Sequence, residues 1–427
     1  MAIKVGLVGT GTVGGGCIDI LHNHACDFRR HLGIDVELVR VCSREPEQAA
    51  AHGVSDIFTE DWHDIVNDPD IDIVIELIGG TTVARELVLA ALAAGKNVVT
   101  ANKALMATYG KEVMDAAEAA GKELAFEASV GGGIPIIDPL KHSLIANEIT
   151  SVMGIVNGTT NYMLTEMAER GTDYAEALAD AQARGFAEAD PTADVGGYDA
   201  AAKIAILASI AFNSRVTIED VFTEGITHVS SIDLEAARDM GYSVKLLAIA
   251  HRTDEGIDVR VHPTMIPTSH QLATVNGVMN AIYVVGDAVG ETMFFGPGAG
   301  AGPAASAVMG DVLEVARHLQ QGVLPIVGCT CTDSLPIVPV DDLRTKYYIR
   351  FQVNDVPGVL AATAGIFSKH NVSVRSVIQR GKEEGGQVNL SYVTHTARES
   401  SVRAVIEEVS QLEAVLVGET SVIRVED

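Results

Sequence analysis

The stretch that decides the fold is Ile3-Lys4-Val5-Gly6-Leu7-Val8-Gly9-Thr10-Gly11-Thr12-Val13-Gly14. Ile3 to Val8 is an apolar run without surface alternation, the pattern of a strand buried on both faces of a parallel sheet. It runs into the glycine turn, then a helix-like stretch from Cys17 to Leu32 and a second apolar run from Val36 to Cys42. Strand, glycine turn, helix and strand in that order are the setting in which G-x-G-x-x-G binds a dinucleotide. Gly9 allows the tight turn, Gly11 the approach of a pyrophosphate, and Gly14 the close packing of helix on strand. The helix N-terminus offers unpaired N–H groups to the anion, so Thr10, Thr12 and Val13 are counted with the glycines as cofactor contacts.

An NAD-selective site usually has Asp or Glu at the end of the second strand, to bond the ribose 2′-hydroxyl. Here that strand ends Val41-Cys42-Ser43-Arg44. Ser43 and Arg44 suit a 2′-phosphate, which favours NADP over NAD.

The alternation continues through a strand at Asp72–Leu77 ending in Ile78-Gly79-Gly80, and a helix at Val83–Ala94. Val98-Val99 runs into Thr100-Ala101-Asn102-Lys103, followed by a helix at Tyr109–Ala120 and a strand at Leu124–Ala128. Such alternation predicts an α/β, Rossmann-type, doubly wound parallel sheet. Ligands of these sheets bind beyond the carboxyl ends of the strands, where Gly80, Thr100 and Lys103 fall.

Ser129-Val130-Gly131-Gly132-Gly133-Ile134-Pro135 follows, read as bare backbone before a proline-initiated helix. Further on, Gly185-Phe186-Ala187-Glu188-Ala189-Asp190-Pro191 leads through Asp194 to a helical stretch, Tyr198–Phe212, that is nearly all small or apolar. Asp199 and Lys203 are its only charges and lie one turn apart on one face. An exposed salt bridge there would be worth under ~0.5 kcal/mol; buried in such a helix, the pair is costly unless it has a task. Glu188 and Asp194 upstream could complete a cluster that grips an ammonium group. Strand-like runs between Val244 and Phe295 predict an antiparallel sheet in an α+β substrate and dimerisation domain. Gly296-Pro297-Gly298-Ala299-Gly300-Ala301-Gly302-Pro303 then feeds a helix from Ala304, and reads equally as a cofactor contact or a hinge.

Residues 321–346, with Pro325, Pro336 and Pro339, read as a linker. From Tyr347 the order is βαββαβ, a ferredoxin-like unit whose last strand is expected over Ala414–Val425. The expected domains are therefore 1–129, completed by the helix 303–320; then 130–302; then 347–427.

The composition agrees with a soluble, cytoplasmic protein of about three domains at ~150 residues each. The 427 residues include 30 Lys+Arg against 57 Asp+Glu, a net charge of -27, which disfavours nucleic acid and anionic membranes as partners. The excess is uneven: from Tyr348 onward 8 basic and 10 acidic residues nearly cancel. No signal peptide is read at the start, and Ile204–Phe212, the longest apolar run, is too short to span a bilayer. The five cysteines are expected to be ordinary reduced core residues, Cys329-Thr330-Cys331 having the wrong spacing for a zinc or redox pair.

Together the glycine turn, Thr100-Ala101-Asn102-Lys103 and Gly185 through Lys203 resemble homoserine dehydrogenase followed by an ACT domain. The ACT signature is Asn354-Asp355-Val356-Pro357-Gly358-Val359-Leu360, with Gln379 ending the second strand. The resemblance implies reversible, NAD(P)-dependent interconversion of L-homoserine and L-aspartate 4-semialdehyde, on the way to threonine, isoleucine and methionine. It implies Lys203 as the proton donor or acceptor, Lys103 beside nicotinamide and substrate, and Glu188 and Asp199 as substrate-binding carboxylates, with Asp194 near them. It also implies a sodium ion at Glu127, Val130, Gly132 and Ile134, a cofactor contact at Gly302, and threonine as an effector at the ACT domain. A homodimer or homotetramer is expected. Two other classes stay open: a related Rossmann oxidoreductase on another small amino-acid substrate, and a non-catalytic amino-acid or dinucleotide sensor. The intact set of Lys103, Glu188, Asp199 and Lys203 argues against the sensor.

Overall fold

The fold comes from a computed structural model that describes residues 2–323, 328–380, 386–413 and 420–426. Two compact units emerge. The first comprises Met1–Gly158, Ala201–Val221 and Met279–Leu335; the second comprises Thr159–Ala200, Phe222–Val278 and Pro336–Asp427.

In the first unit, six parallel strands form a sheet. In chain order they are Ile3–Val8, Val36–Cys42, Phe58–Thr59, Ile73–Glu76, Asn97–Thr100 and Leu124–Ala125, and their order across the sheet is 3-2-1-4-5-6. This doubly wound order places a crevice where the first and fourth strands diverge. The first helix runs Thr12–Leu32, five residues longer at its start than the sequence suggested. Glycine in a helix costs ~1 kcal/mol against alanine, which hides such a start from propensity. Close approach requires it here: a Cβ on Gly16 would stand 2.8 Å from the Ala301 carbonyl oxygen and 2.9 Å from the Ala305 Cβ. That contact packs the first helix on the helix Ala301–Gln321, whose Ala305, Val308, Met309, Val312, Val315 and Ala316 share one core with Val5, Leu7, Cys17 and Ile18.

Two local expectations are corrected. The strand at Leu124 ends at Ala125, and Glu127–Ser129 is a 3-10 turn. The helix expected at Pro135 is a short helical segment over 137–143 that becomes a five-residue π-helical turn at Pro139. The left-handed Gly131 (φ 72°) and Gly132 (φ 56°) reverse the chain first, and Ile134 N–H closes on the Gly131 carbonyl at 2.9 Å. The same unit carries an antiparallel trio, Ile149–Ile155, Met279–Gly286 and Gly290–Pro297.

The second unit holds the long antiparallel pair Tyr242–Thr253 and Gly256–Pro267. It also holds the ferredoxin-like module, with strands Arg344–Asn354, Val374–Arg380, Gln387–Thr394 and Ser421–Val425 and helices Val359–Lys369 and Glu399–Val409. Its sheet order is last-first-third-second, over a core of Tyr347, Ile349, Phe351, Phe367, Leu390 and Tyr392. The first half of the expected last strand, residues 414–419, lies outside the described residues, as does Pro325. The module's sheet continues into its neighbour, because Arg424 and Val425 pair in parallel with Thr264 and Met265. The linker is likewise fastened in part: Ile257 N–H donates to the Pro336 carbonyl and Val338 N–H to that of Ile257, both at 2.8 Å. Among the described residues, no helix is long and apolar enough to cross a membrane.

Candidate active site

The glycine turn is shaped by close contacts. Gly9 sits at φ 107°, with Leu77 backbone atoms 2.7 Å from where a Cβ would stand; a Cβ on Gly14 would lie 1.9 Å from the Gly9 carbonyl oxygen. Around a Cβ on Gly11, by contrast, no atom lies within 4 Å. Gly11 is the N-cap of the first helix and makes no side-chain capping bond, so the first-turn amides are left to a ligand. Thr12 is exposed and Val13 half-buried at this edge, while Thr10 turns inward, its hydroxyl 3.1 Å from Gln48 Oε1. Open space also surrounds a Cβ on Gly302, in the turn that begins Ala301–Gln321. Gly11→Ala is therefore expected to keep the thermal midpoint while weakening NAD(P) binding about tenfold or more, because its methyl takes the pyrophosphate's place. Gly14→Ala should instead lower the midpoint. Equal losses of stability in calorimetry would contradict the distinction.

Beyond the fourth and fifth strands, a carboxylate the sequence reading missed organises the crevice. Glu76 is fully buried and accepts from Thr100 Oγ1 (2.6 Å), Ile78 N–H (2.9 Å) and Gly79 N–H (3.1 Å). Asn102 caps the following helix, Lys103–Ala120, through Leu105 N–H, and its Nδ2 donates to the Gly80 carbonyl at 2.7 Å. Gly80, Thr100 and Lys103 are thereby brought together, with Lys103 exposed at the first position of its helix. On the second strand Cys42 is buried, the Ser43 hydroxyl accepts from Glu45 N–H at 3.1 Å, and Arg44 is exposed.

The loop after the sixth strand is held by two carboxylates, the buried Glu127 and the half-buried Asp311. Glu127 accepts from the amides of Ile136 (2.5 Å), Ile137 (2.8 Å) and Asp138 (2.7 Å), and its own N–H donates to Asp311 at 2.8 Å. Burial pushes the Glu127 carboxyl up, against the pull of those amides, and pushes Asp311 well up, with Glu127 adding to it. Val130, Gly132 and Ile134 lie in the glycine reversal this clamp encloses. Among the described residues no cluster of three or more His, Cys, Asp or Glu is placed to hold a metal, so a cation here would be held chiefly by backbone oxygens.

Asp199 and Lys203 stand four residues apart on the helix Tyr198–Ala211 and are 8% and 9% exposed, which removes the surface salt bridge as an explanation. The Lys203 ammonium donates to the Val156 carbonyl at 2.6 Å. In the second unit, Thr159 Oγ1 bonds Asp194 at 3.0 Å and the Phe186 carbonyl at 2.6 Å, so Asp194 is tied to the loop that carries Glu188. Glu188 is exposed. Thr159 belongs to Asn157-Gly158-Thr159-Thr160-Asn161-Tyr162, whose polar residues are mostly buried in a helix start; that unusual burial was the signal for it, invisible without the fold.

Comparison with known proteins agrees with these features. The family model described as homoserine dehydrogenase matches residues 135–313, its NAD binding domain matches 9–127, and the ACT domain matches 347–414. A homoserine dehydrogenase of Synechocystis is 47% identical over 97% of this chain and 98% of its own length. The crystal structure of a homoserine dehydrogenase from Thiobacillus denitrificans superposes with a TM-score of 0.95 at 43% identity, covering 100% of this chain and 99% of that one. A hyperthermophilic archaeal homoserine dehydrogenase solved with NADPH has a TM-score of 0.64 at 25% identity, over 76% of this chain and 100% of that one. The chain belongs to the homoserine dehydrogenase family of NAD(P)-dependent oxidoreductases.

Proposed function

We propose that this chain catalyses the reversible, NAD(P)-dependent interconversion of L-homoserine and L-aspartate 4-semialdehyde, feeding threonine, isoleucine and methionine synthesis in the cytoplasm. The observation that carries the reading is the buried Lys203 ammonium, 2.6 Å from the Val156 carbonyl and one helical turn from the buried Asp199. A bound NAD(P)H supplies the hydride. Gly9, Gly11, Gly14, Thr12 and Val13 hold its pyrophosphate, with Gly80, Thr100, Lys103 and Gly302 as further contacts. Lys203 stabilises charge on the substrate oxygen and exchanges its proton, with Lys103 as a second cation. Glu188 and Asp199 bind the substrate ammonium, and Asp194 fixes the loop between them.

Several finer assignments belong to the same reading. Arg44 and the lack of a carboxylate after the second strand favour NADP. We assign a sodium ion to Glu127, Val130, Gly132 and Ile134, where backbone carbonyls of the glycine reversal are the main oxygen donors. Residues 1–129 with 303–320 act as the cofactor domain, 130–302 as the substrate domain and 347–427 as the regulatory domain of a homodimer or homotetramer. The ACT module takes threonine as inhibitor. The test is homoserine oxidation with NAD and NADP in parallel, with and without threonine. Turnover, faster with NADP and slowed by threonine, is expected. Absence of turnover with both coenzymes would overturn the activity; insensitivity to threonine would overturn only the effector.

A further inference from the structure

The five cysteines do not all behave as core residues. Cys17 and Cys42 are buried, and burial pushes their thiols up to about 12 and about 11, which makes them inert. Cys26 is exposed. Cys329 and Cys331, in the first unit, are half-buried and line a cavity of about 310 Å³ together with Lys141 and Arg215. The Cys331 thiol donates to the Ser209 carbonyl, its Sγ 3.6 Å from that oxygen. The neighbouring Cys331, opposed by burial and aided by Lys141, lowers the Cys329 thiol to about 6, the opposite direction from Cys17 and Cys42, which favours its thiolate. Arg215 crosses Gly110 so closely that a Cβ there would stand 2.9 Å from its Nη1. The same lining includes Lys111, paired with Asp115, and Asp333, so Arg215 and Lys141, whose ammonium burial pushes down, outnumber the remaining carboxylate around one small space of the size that holds a small molecule.

We propose that this cavity is a covalent binding site for small anionic disulfides, with Cys329 as the nucleophile and Lys141 and Arg215 as the carboxylate-binding groups. The Cys329 thiolate attacks one sulfur of R–S–S–R and the reagent's S–S bond breaks. The RS⁻ half leaves and takes a proton from water, while Cys329 carries the S–S–R adduct. The protein sulfur is oxidised, the departing half is reduced, and excess thiol reverses the exchange. The walls of the cavity connect it to catalysis. Met106 and Gly110 stand three and seven residues beyond Lys103, and Ile206 and Ile210 three and seven beyond Lys203, on the same helix faces as those lysines. An adduct wedged between these helices displaces the two ammonium groups.

Oxidised glutathione is the probe, used on the full chain, with peptide mass mapping and the rate of homoserine oxidation as readouts. One adduct at Cys329 is expected, removed by dithiothreitol, with kcat falling about tenfold and recovering on reduction. Cys329→Ser should keep the basal rate and take no adduct there. Lys141→Met should slow labelling by oxidised glutathione while leaving labelling by the cationic disulfide cystamine unchanged. Labelling confined to Cys26, or cystamine reacting with the unaltered protein as fast as oxidised glutathione, would overturn the site. Labelling of Cys329 with an unchanged rate would overturn its connection to catalysis. Mass mapping needs no turnover, so this test stands apart from that of the activity.

Discussion

Lys203→Ala is expected to lower kcat by ~10²-fold or more while leaving NADPH affinity within about twofold of the unaltered protein. The helix that carries Lys203 is otherwise apolar here: Ala201, Ile204, Ala205 and Leu207 are all fully buried. Keeping an ammonium among them costs desolvation energy, and its bond to the Val156 carbonyl fixes where that charge sits. On the function proposed above, that charge acts where negative charge develops on the substrate oxygen. Alanine removes that interaction in the transition state and touches none of the glycine-turn contacts, so the loss should fall on kcat and spare the cofactor. A purely structural lysine would behave differently, lowering the thermal midpoint while leaving turnover per folded molecule intact. Steady-state kinetics, NADPH fluorescence titration and calorimetry on the same preparation separate the two. Partial restoration of the rate by added primary alkylamines would mark a missing ammonium group. If kcat stays within about threefold, Lys203 does not have this role.

The sequence was most informative where neighbours in the chain are neighbours in space. The strand, glycine turn and first helix are consecutive, so their hydrophobic pattern and glycine spacing were enough to place the parallel sheet. The βαββαβ order of the C-terminal module was legible for the same reason. Where tertiary contact decided the outcome, pattern reading failed. The first helix starts at Thr12 because Gly14 and Gly16 are required by backbone from Gly9 and Ala301, and no propensity scale carries that information. Glu76 ends an apolar strand like any boundary residue, and only the fold aims Thr100 and two amides at it. Asp311 meets the amide of Glu127 across 184 residues, a separation beyond any local signal. Asp199 and Lys203 were readable as a pair on one face of a nearly all-apolar helix, and the burial expected of such a helix is found at both. The cysteines failed in the other direction: composition treats all five alike, while the fold buries two and gathers two beside Lys141 and Arg215.

Removing Asp233 should be the most damaging single change to stability away from the cofactor crevice, with Asp233→Ala costing ~3–5 kcal/mol. Asp233 is fully buried in the helix Ser231–Asp239 and closes a capping box with Ser230. Arg350, on the first strand of the ACT module, grips it with both arms, Nε to Oδ1 at 2.7 Å and Nη2 to Oδ2 at 3.1 Å. The Tyr348 hydroxyl adds a third contact at 3.2 Å. Alanine would leave the guanidinium of Arg350, only 6% exposed, without its counter-ion, and that uncompensated charge accounts for most of the loss. Asp233→Leu combined with Arg350→Met should therefore recover much of the stability lost by Asp233→Leu alone, since an apolar pair owes no desolvation. The pH dependence follows from the same geometry. Burial alone would raise the Asp233 carboxyl, but Arg350 and Ser230 outweigh it and hold it below the ordinary carboxylate range. A group depressed in the folded state adds stability above its unfolded value of about 4, and that stability is lost as pH falls through the folded value. Urea unfolding between pH 7 and pH 3 should show the unaltered protein losing this increment on acidification, with the Leu/Met pair losing less. Parallel losses in the two proteins would show that Asp233 is not a source of the acid sensitivity.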